Sequence, residues 1–176
     1  GSEMCIRDRK DDKAGLVTFN EYFDTFVPAS KQVGQMQTLL ENLYKQETTF
    51  GETDFSALCG HLGKHVNKRS FLVLYTNFSN MTSLNRQLVY LQQLARQHRV
   101  LVVFFEDADL KEYIAGKSVT TEDYYRHVIA EKFAFEKRLI VSTLKQHGIY
   151  SLLTTPDKLS IDVINKYLEM KSRQLL

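Results

Sequence analysis

Three carboxylates, Glu106, Asp107 and Asp109, follow the apolar run Val100–Phe105, at the place where open α/β sheets hold their ligands. A metal-dependent hydrolase or phosphoesterase would use such groups to bind a divalent ion and activate a water. That chemistry needs further carboxylates converging from neighbouring strands, whereas the preceding apolar run ends in Asn77 and the following one in Thr154-Thr155. An acidic turn that opens a helix accounts for the same residues. His61 and His65 stand four apart, a spacing that can aim two imidazoles at one metal, but no Glu follows His61 as in the His-Glu-x-x-His arrangement. With Lys64, Lys68 and Arg69 they form a basic cluster at a helix end, suited to solvent or to the acidic surface of a protein partner. Cys5 and Cys59 lack Cys-x-x-Cys spacing, and neither a phosphate loop nor a Gly-x-Gly-x-x-Gly fingerprint occurs. Enzymatic cofactors have no binding motif here.

The elements that must carry these residues fit one domain of 176 residues, with 43% hydrophobic and 25% charged side chains. A net charge of +2 is too small for a dedicated phosphate-backbone binder, so nucleic acid is not an expected partner. The longest apolar run, Val100–Phe105, falls far short of the roughly 20 residues that span a bilayer, and no membrane contact is expected of this chain. The scarcity of cysteine points to a reducing, cytoplasmic setting.

Leu16–Phe19 and Tyr22–Val27, split by Asn20-Glu21, read as an antiparallel hairpin ending at Pro28. Val33, Met36, Leu39, Leu40 and Leu43 recur at helical spacing, as do Phe55, Leu58, Cys59, Leu62 and Val66. Thr53 stands where its hydroxyl can cap the second of these helices. Phe71–Tyr75 and Val100–Phe105 are strands buried on both faces, separated by a helix marked by Leu84, Leu88, Leu91, Leu94 and Ala95. A long helix follows over Thr121–His147, closed by Gly148. Its Tyr124, Tyr125, Phe133 and Phe135 cannot all face one way at 100° per residue, which leaves Tyr124 or Phe135 for a docking surface. Ile149–Leu153 is a third buried strand, and Leu159, Val163, Ile164, Tyr167 and Leu168 mark a last helix. Strands joined by helical crossovers predict a three-layer α/β fold with a mostly parallel sheet between helices.

The segments DDKAGLVTF (11–19), GETDFSAL (51–58), RSFLVLYTNF (69–78), LQQLARQHRVLVVFFE (91–106) and VINKYLEMK (163–171) together resemble the C-terminal portion of the von Willebrand factor A-like proteins called DUF family fifty-eight. The resemblance implies a bacterial, non-enzymatic interaction module, an accessory partner of a MoxR-type AAA+ ATPase. It also implies a parent protein tethered in some members to the inner membrane by N-terminal helices. Von Willebrand factor A domains carry a metal ion-dependent adhesion site at the C-terminal edge of the sheet. Its Thr position matches Thr53, and its later post-strand Asp position matches Asn77. The Asp-x-Ser-x-Ser element has no match, and the neutral amide of Asn77 supplies none of the charge that Mg²⁺ draws from carboxylates. Any Mg²⁺ is therefore expected of the intact parent only, at a degenerate site.

Residues 1–10 show neither strand alternation nor a helical stripe, and Glu3–Arg9 resembles a translated sequencing adapter, so they are expected to be non-native. Recovery of the same ten codons from source DNA would contradict this. Residues 11–176 are then a truncated domain. In the resembled fold the absent first strand lies centrally, between the Leu16–Phe19 strand and the Phe71–Tyr75 strand. The expectation is a gap or an imperfect closure between those two strands. The function expected is protein–protein interaction through Tyr124, Phe135, Lys64, Lys68 and Arg69, the alternative being a hydrolase that uses Glu106, Asp107 and Asp109.

Overall fold

The computed structural model describes residues 13–19, 23–46, 53, 55–78, 80–106 and 121–175. Strands β1 (Ala14–Phe19) and β2 (Phe23–Ser30) form an antiparallel pair, followed by helices α1 (Gln35–Tyr44) and α2 (Phe55–His65). The chain then alternates through β3 (Phe71–Tyr75), α3 (Met81–Gln97), β4 (Arg99–Phe105), α4 (Thr121–Gln146), β5 (Tyr150–Thr154) and α5 (Leu159–Ser172). β3, β4 and β5 make a parallel three-stranded sheet in that order, with Leu72 opposite Val100 and Val102 opposite Ser151. Parallel neighbours in sequence order require crossovers, and α3 and α4 provide them.

Alternation along the strands divides the core. Leu74, Val100, Val102 and Phe104 pack on one face with Phe55 and Leu58 of α2, Leu91 and Leu94 of α3, and Ile140 and Leu144 of α4. Tyr75, Leu101 and Val103 point to the other face, where Val163 of α5 covers them. The sheet is thus flanked by helices on both sides. Asn80 caps α3 by accepting a hydrogen bond from the Ser83 amide at 2.9 Å, and Gly148 takes φ 72° just beyond α4, where a Cβ would be strained.

Val17 and Phe19 of β1 pack against the first core cluster, yet no ladder links β1 to any of β3, β4 or β5, so β1 and β3 do not pair. A cavity of about 30 Å³ lies between them, lined by Val17, Leu58, Leu62, Leu72, Leu74, Leu94 and Val100. The side chains that line it are all apolar.

The hairpin runs further than its sequence pattern indicates. Pro28 lies within β2 and is exposed, as an outer-edge position that needs no backbone donor allows. A bulge falls between Ala14 and Leu16, where a Cβ on Gly15 would meet the Ala29 nitrogen and the Val27 oxygen at 2.9 Å. The turn at residues 20–22 and the segment 1–10 lie outside the described residues. In α1 only Leu39 is buried. Val33 precedes the helix fully exposed and Leu40 is 46% exposed, so the five-residue stripe expected there contracts to one anchor. In α5 the buried residues are Val163, Tyr167 and Met170, while Ile164 and Leu168 face outward. A helix covering a narrow three-stranded face buries a strip about one residue wide, and the 3–4 spacing 163–167–170 supplies it.

Candidate functional site

The C-terminal edge of the sheet gathers the loops that follow the strands. Beyond β3, the carboxamide oxygen of Asn77 accepts a hydrogen bond from the Nζ of Lys137, and the same ammonium donates to the Phe78 carbonyl at 3.1 Å. Lys137 reaches this corner because α4 presents it on its buried arc, three residues before Ile140 and seven before Leu144. Partial burial pushes its pKa below the ordinary lysine value. The ring of Phe78 stacks on Phe55 at 5.8 Å, which brings the start of α2, and with it Thr53 two residues earlier, to the same edge.

Thr53 and Asn77 therefore belong to neighbouring loops, but the corner does not fit a divalent cation. Its oxygens from Asn77 and Phe78 are neutral, and they already serve an ammonium. A metal ion would have to displace Lys137, and among the described residues no cluster of carboxylates stands ready to repay its lost hydration. Among the described residues, no group of three or more His, Cys, Asp or Glu side chains converges as a metal site. Lys137 carries no motif of its own. The signal that could have found it is a lysine set among Ala130, Ile140 and Leu144 on the buried arc of a long helix, a place where a cation needs acceptors.

At the end of β4, the Glu106 amide donates to the Thr154 carbonyl at 2.9 Å, which extends the β4–β5 ladder by one step. Asp107 and Asp109 lie outside the described residues. On the next loop the Thr154 hydroxyl donates to Asp162 of α5, tying the end of β5 to the first turn of that helix.

His61 is partly buried and His65 exposed at the end of α2. Their rings stack at 4.2 Å, and Phe26 of β2 sits 5.0 Å from the first and 5.4 Å from the second. The pair packs α2 onto the hairpin. Burial, and then the neighbouring His65 and Lys64 charges, lower the His61 pKa, so the neutral ring is favoured. Cys59 is buried, with its Sγ 3.4 Å from the Tyr90 carbonyl.

Lys64, Lys68 and Arg69 are all exposed, beside the start of β3. Tyr124 is near the start of α4, which runs from the opposite edge of the sheet. The structure separates these two groups of partner-binding candidates instead of joining them in one patch. Tyr124 and Phe135 are 59% and 60% exposed. Eleven residues apart, they fall within about 20° of one another around the helix, with Val128, 46% exposed, between them. Tyr125, Ile129, Phe133 and Leu139 are exposed as well, with Phe133 at the same angle around the helix as the buried Ile140 and Leu144, so apolar side chains of α4 meet water on several sides. Single exposed apolar side chains are ordinary at a surface.

The fold defines an α/β protein with a three-stranded parallel sheet flanked by helices, and its described residues hold no group of three or more potential metal ligands. A family model described as Protein of unknown function DUF58 matches residues 5–121, and the chain belongs to that family. The match includes four of the five segments that carry the resemblance, and Val163–Lys171 lies beyond it. No curated protein and no solved structure matches the chain.

Proposed function

We propose that this chain is a non-enzymatic protein-interaction module of von Willebrand factor A-like architecture, working beside a MoxR-type AAA+ ATPase in the cytoplasm. The observation that carries the proposal is the exposed line Tyr124–Val128–Phe135 on α4. Aromatic side chains of this kind anchor protein interfaces because they bury large areas at little conformational cost. The exposed Lys64, Lys68 and Arg69 form a second, polar contact that steers an acidic partner towards the opposite edge of the sheet.

The finer architecture is supported by the two unjoined sheets, whose lack of pairing between β1 and β3 accords with the order the resemblance implies. The Lys137 ammonium takes the place of a bound ion at Asn77, and docking proceeds without metal. Replacing Tyr124 and Phe135 together with Ser tests the reading. Binding to a purified MoxR-type ATPase should fall at least about tenfold with the fold intact by circular dichroism, and unchanged binding sinks the proposed interface.

A further inference from the structure

The exposed surface of α4 contains a second line. Tyr125, Ile129, Lys132, Glu136, Leu139 and Thr143 recur at alternating spacings of four and three, which is the seam of an antiparallel or parallel helix pair. Tyr125 is 66% exposed, Ile129 55% and Leu139 40%. At 100° per residue this seam lies about 80° around the helix from the Tyr124–Phe135 line, and the two meet where the Tyr124 and Tyr125 rings pack edge to edge at 6.3 Å. The helix is 26 residues long, about 39 Å, and its buried arc is already committed to the sheet through Ala130, Ile140 and Leu144.

The seam is self-complementary about residue 134. When two copies of α4 run antiparallel and centred there, Lys132 of each faces Glu136 of the other, Ile129 faces Leu139, and Tyr125 faces Thr143. The charged residues thus meet at the centre as two reciprocal opposite charges, and Ile129 with Leu139 flanks them on both sides. A parallel pairing would instead set Lys132 against Lys132 and Glu136 against Glu136, which like-charge repulsion disfavours. Among the described residues no hydrogen bond or ion pair engages Lys132 or Glu136, so both side chains can meet a partner. An isologous two-fold contact needs this property of a surface, because each patch must complement itself.

We propose that α4 pairs antiparallel with α4 of a second copy of this chain through Tyr125, Ile129, Lys132, Glu136 and Leu139, giving a reversible homodimer. The pairing uses a different line of the helix from the proposed ATPase contact, and its two copies carry two such contacts outward. Sedimentation equilibrium on the 176-residue chain tests it. The wild type should show a monomer–dimer equilibrium. Lys132→Glu alone, or Glu136→Lys alone, turns both reciprocal attractions into repulsions and should weaken the dimer at least about tenfold. The double variant restores opposite charges across the two-fold axis and should return the dissociation constant to within about threefold of wild type. Of the two positions, Lys132 is exposed and Glu136 partly so, and circular dichroism checks the fold of each of the three variants. A monomer at every concentration overturns the proposal, as does a dimer indifferent to the single reversals or one that the double variant does not rescue. Neither failure bears on ATPase binding, which is measured separately with the Ser variants of Tyr124 and Phe135.

Discussion

Replacing Val17 with Ile should stabilise the protein, because Val17 lines the cavity between β1 and β3. The cavity measures about 30 Å³. At roughly 24 cal/mol per Å³ of void, its presence costs about 0.7 kcal/mol. Burying the one added methylene is worth about 0.8 kcal/mol, and the two routes agree. Isoleucine keeps the β-branch that suits a strand, so the backbone of β1 has no reason to move. Urea denaturation should show a higher midpoint at unchanged slope, and the melting temperature should rise by about 2 to 3 °C for a chain of this size. Leu94→Ala enlarges the same cavity from the α3 side and should cost about 2 to 5 kcal/mol. Stability of Val17→Ile unchanged or lowered would refute the reasoning, since it would mean that the space is already closed by packing of the hairpin.

Three further outcomes follow from the buried polar groups. His98 is buried, and its Nδ1 accepts a hydrogen bond from the Ser70 amide at 3.3 Å, so the neutral ring is the folded form and its pKa is lowered from 6.5. The unfolded chain then binds the proton more readily, and stability should be full above pH 6.5 and fall as pH drops through that value towards the folded pKa. Denaturation across pH 5 to 8 measures this, and His98→Gln should flatten part of the slope while leaving the share of His61, whose pKa is also lowered. Asn77→Ala should destabilise by about 1 to 3 kcal/mol, because the half-buried Lys137 ammonium keeps only the Phe78 carbonyl. Asn77→Asp should instead pair with Lys137 and raise stability without creating Mg²⁺ affinity. Calorimetric heat at millimolar Mg²⁺ in that variant would contradict Lys137 as the cation of this corner.

The architecture of the sheet is legible in the sequence because buried parallel strands need continuous apolar runs, and Phe71–Tyr75 and Val100–Phe105 are such runs bounded by polar residues. α2 and α3 are legible for a related reason. Each packs a broad stripe on the sheet, and Leu58, Leu62, Leu84, Leu91 and Leu94 are buried as their spacing implies. Periodicity does not reveal how wide a surface a helix meets, and so Leu40, Ile164 and Leu168 have the spacing of core residues but face water. The histidine pair has metal-like spacing, yet the decisive neighbour is Phe26 on a strand 35 residues earlier than His61, which no local pattern discloses. Lys137 is hidden in the same way, since its acceptors Asn77 and Phe78 lie 60 and 59 residues away in the chain. Tyr124 and Phe135 emerge from the opposite logic. Their helix carries more apolar residues than one buried arc can hold, and the surplus has to be exposed.

The most direct test of the interaction-module reading is the affinity of this chain for a purified MoxR-type ATPase, measured by calorimetry for the wild type and for the Tyr124→Ser, Phe135→Ser double variant. Saturable binding by the wild type, weakened at least about tenfold in the variant, is the expected result. Absence of binding by the wild type, or equal binding by both proteins, would contradict it.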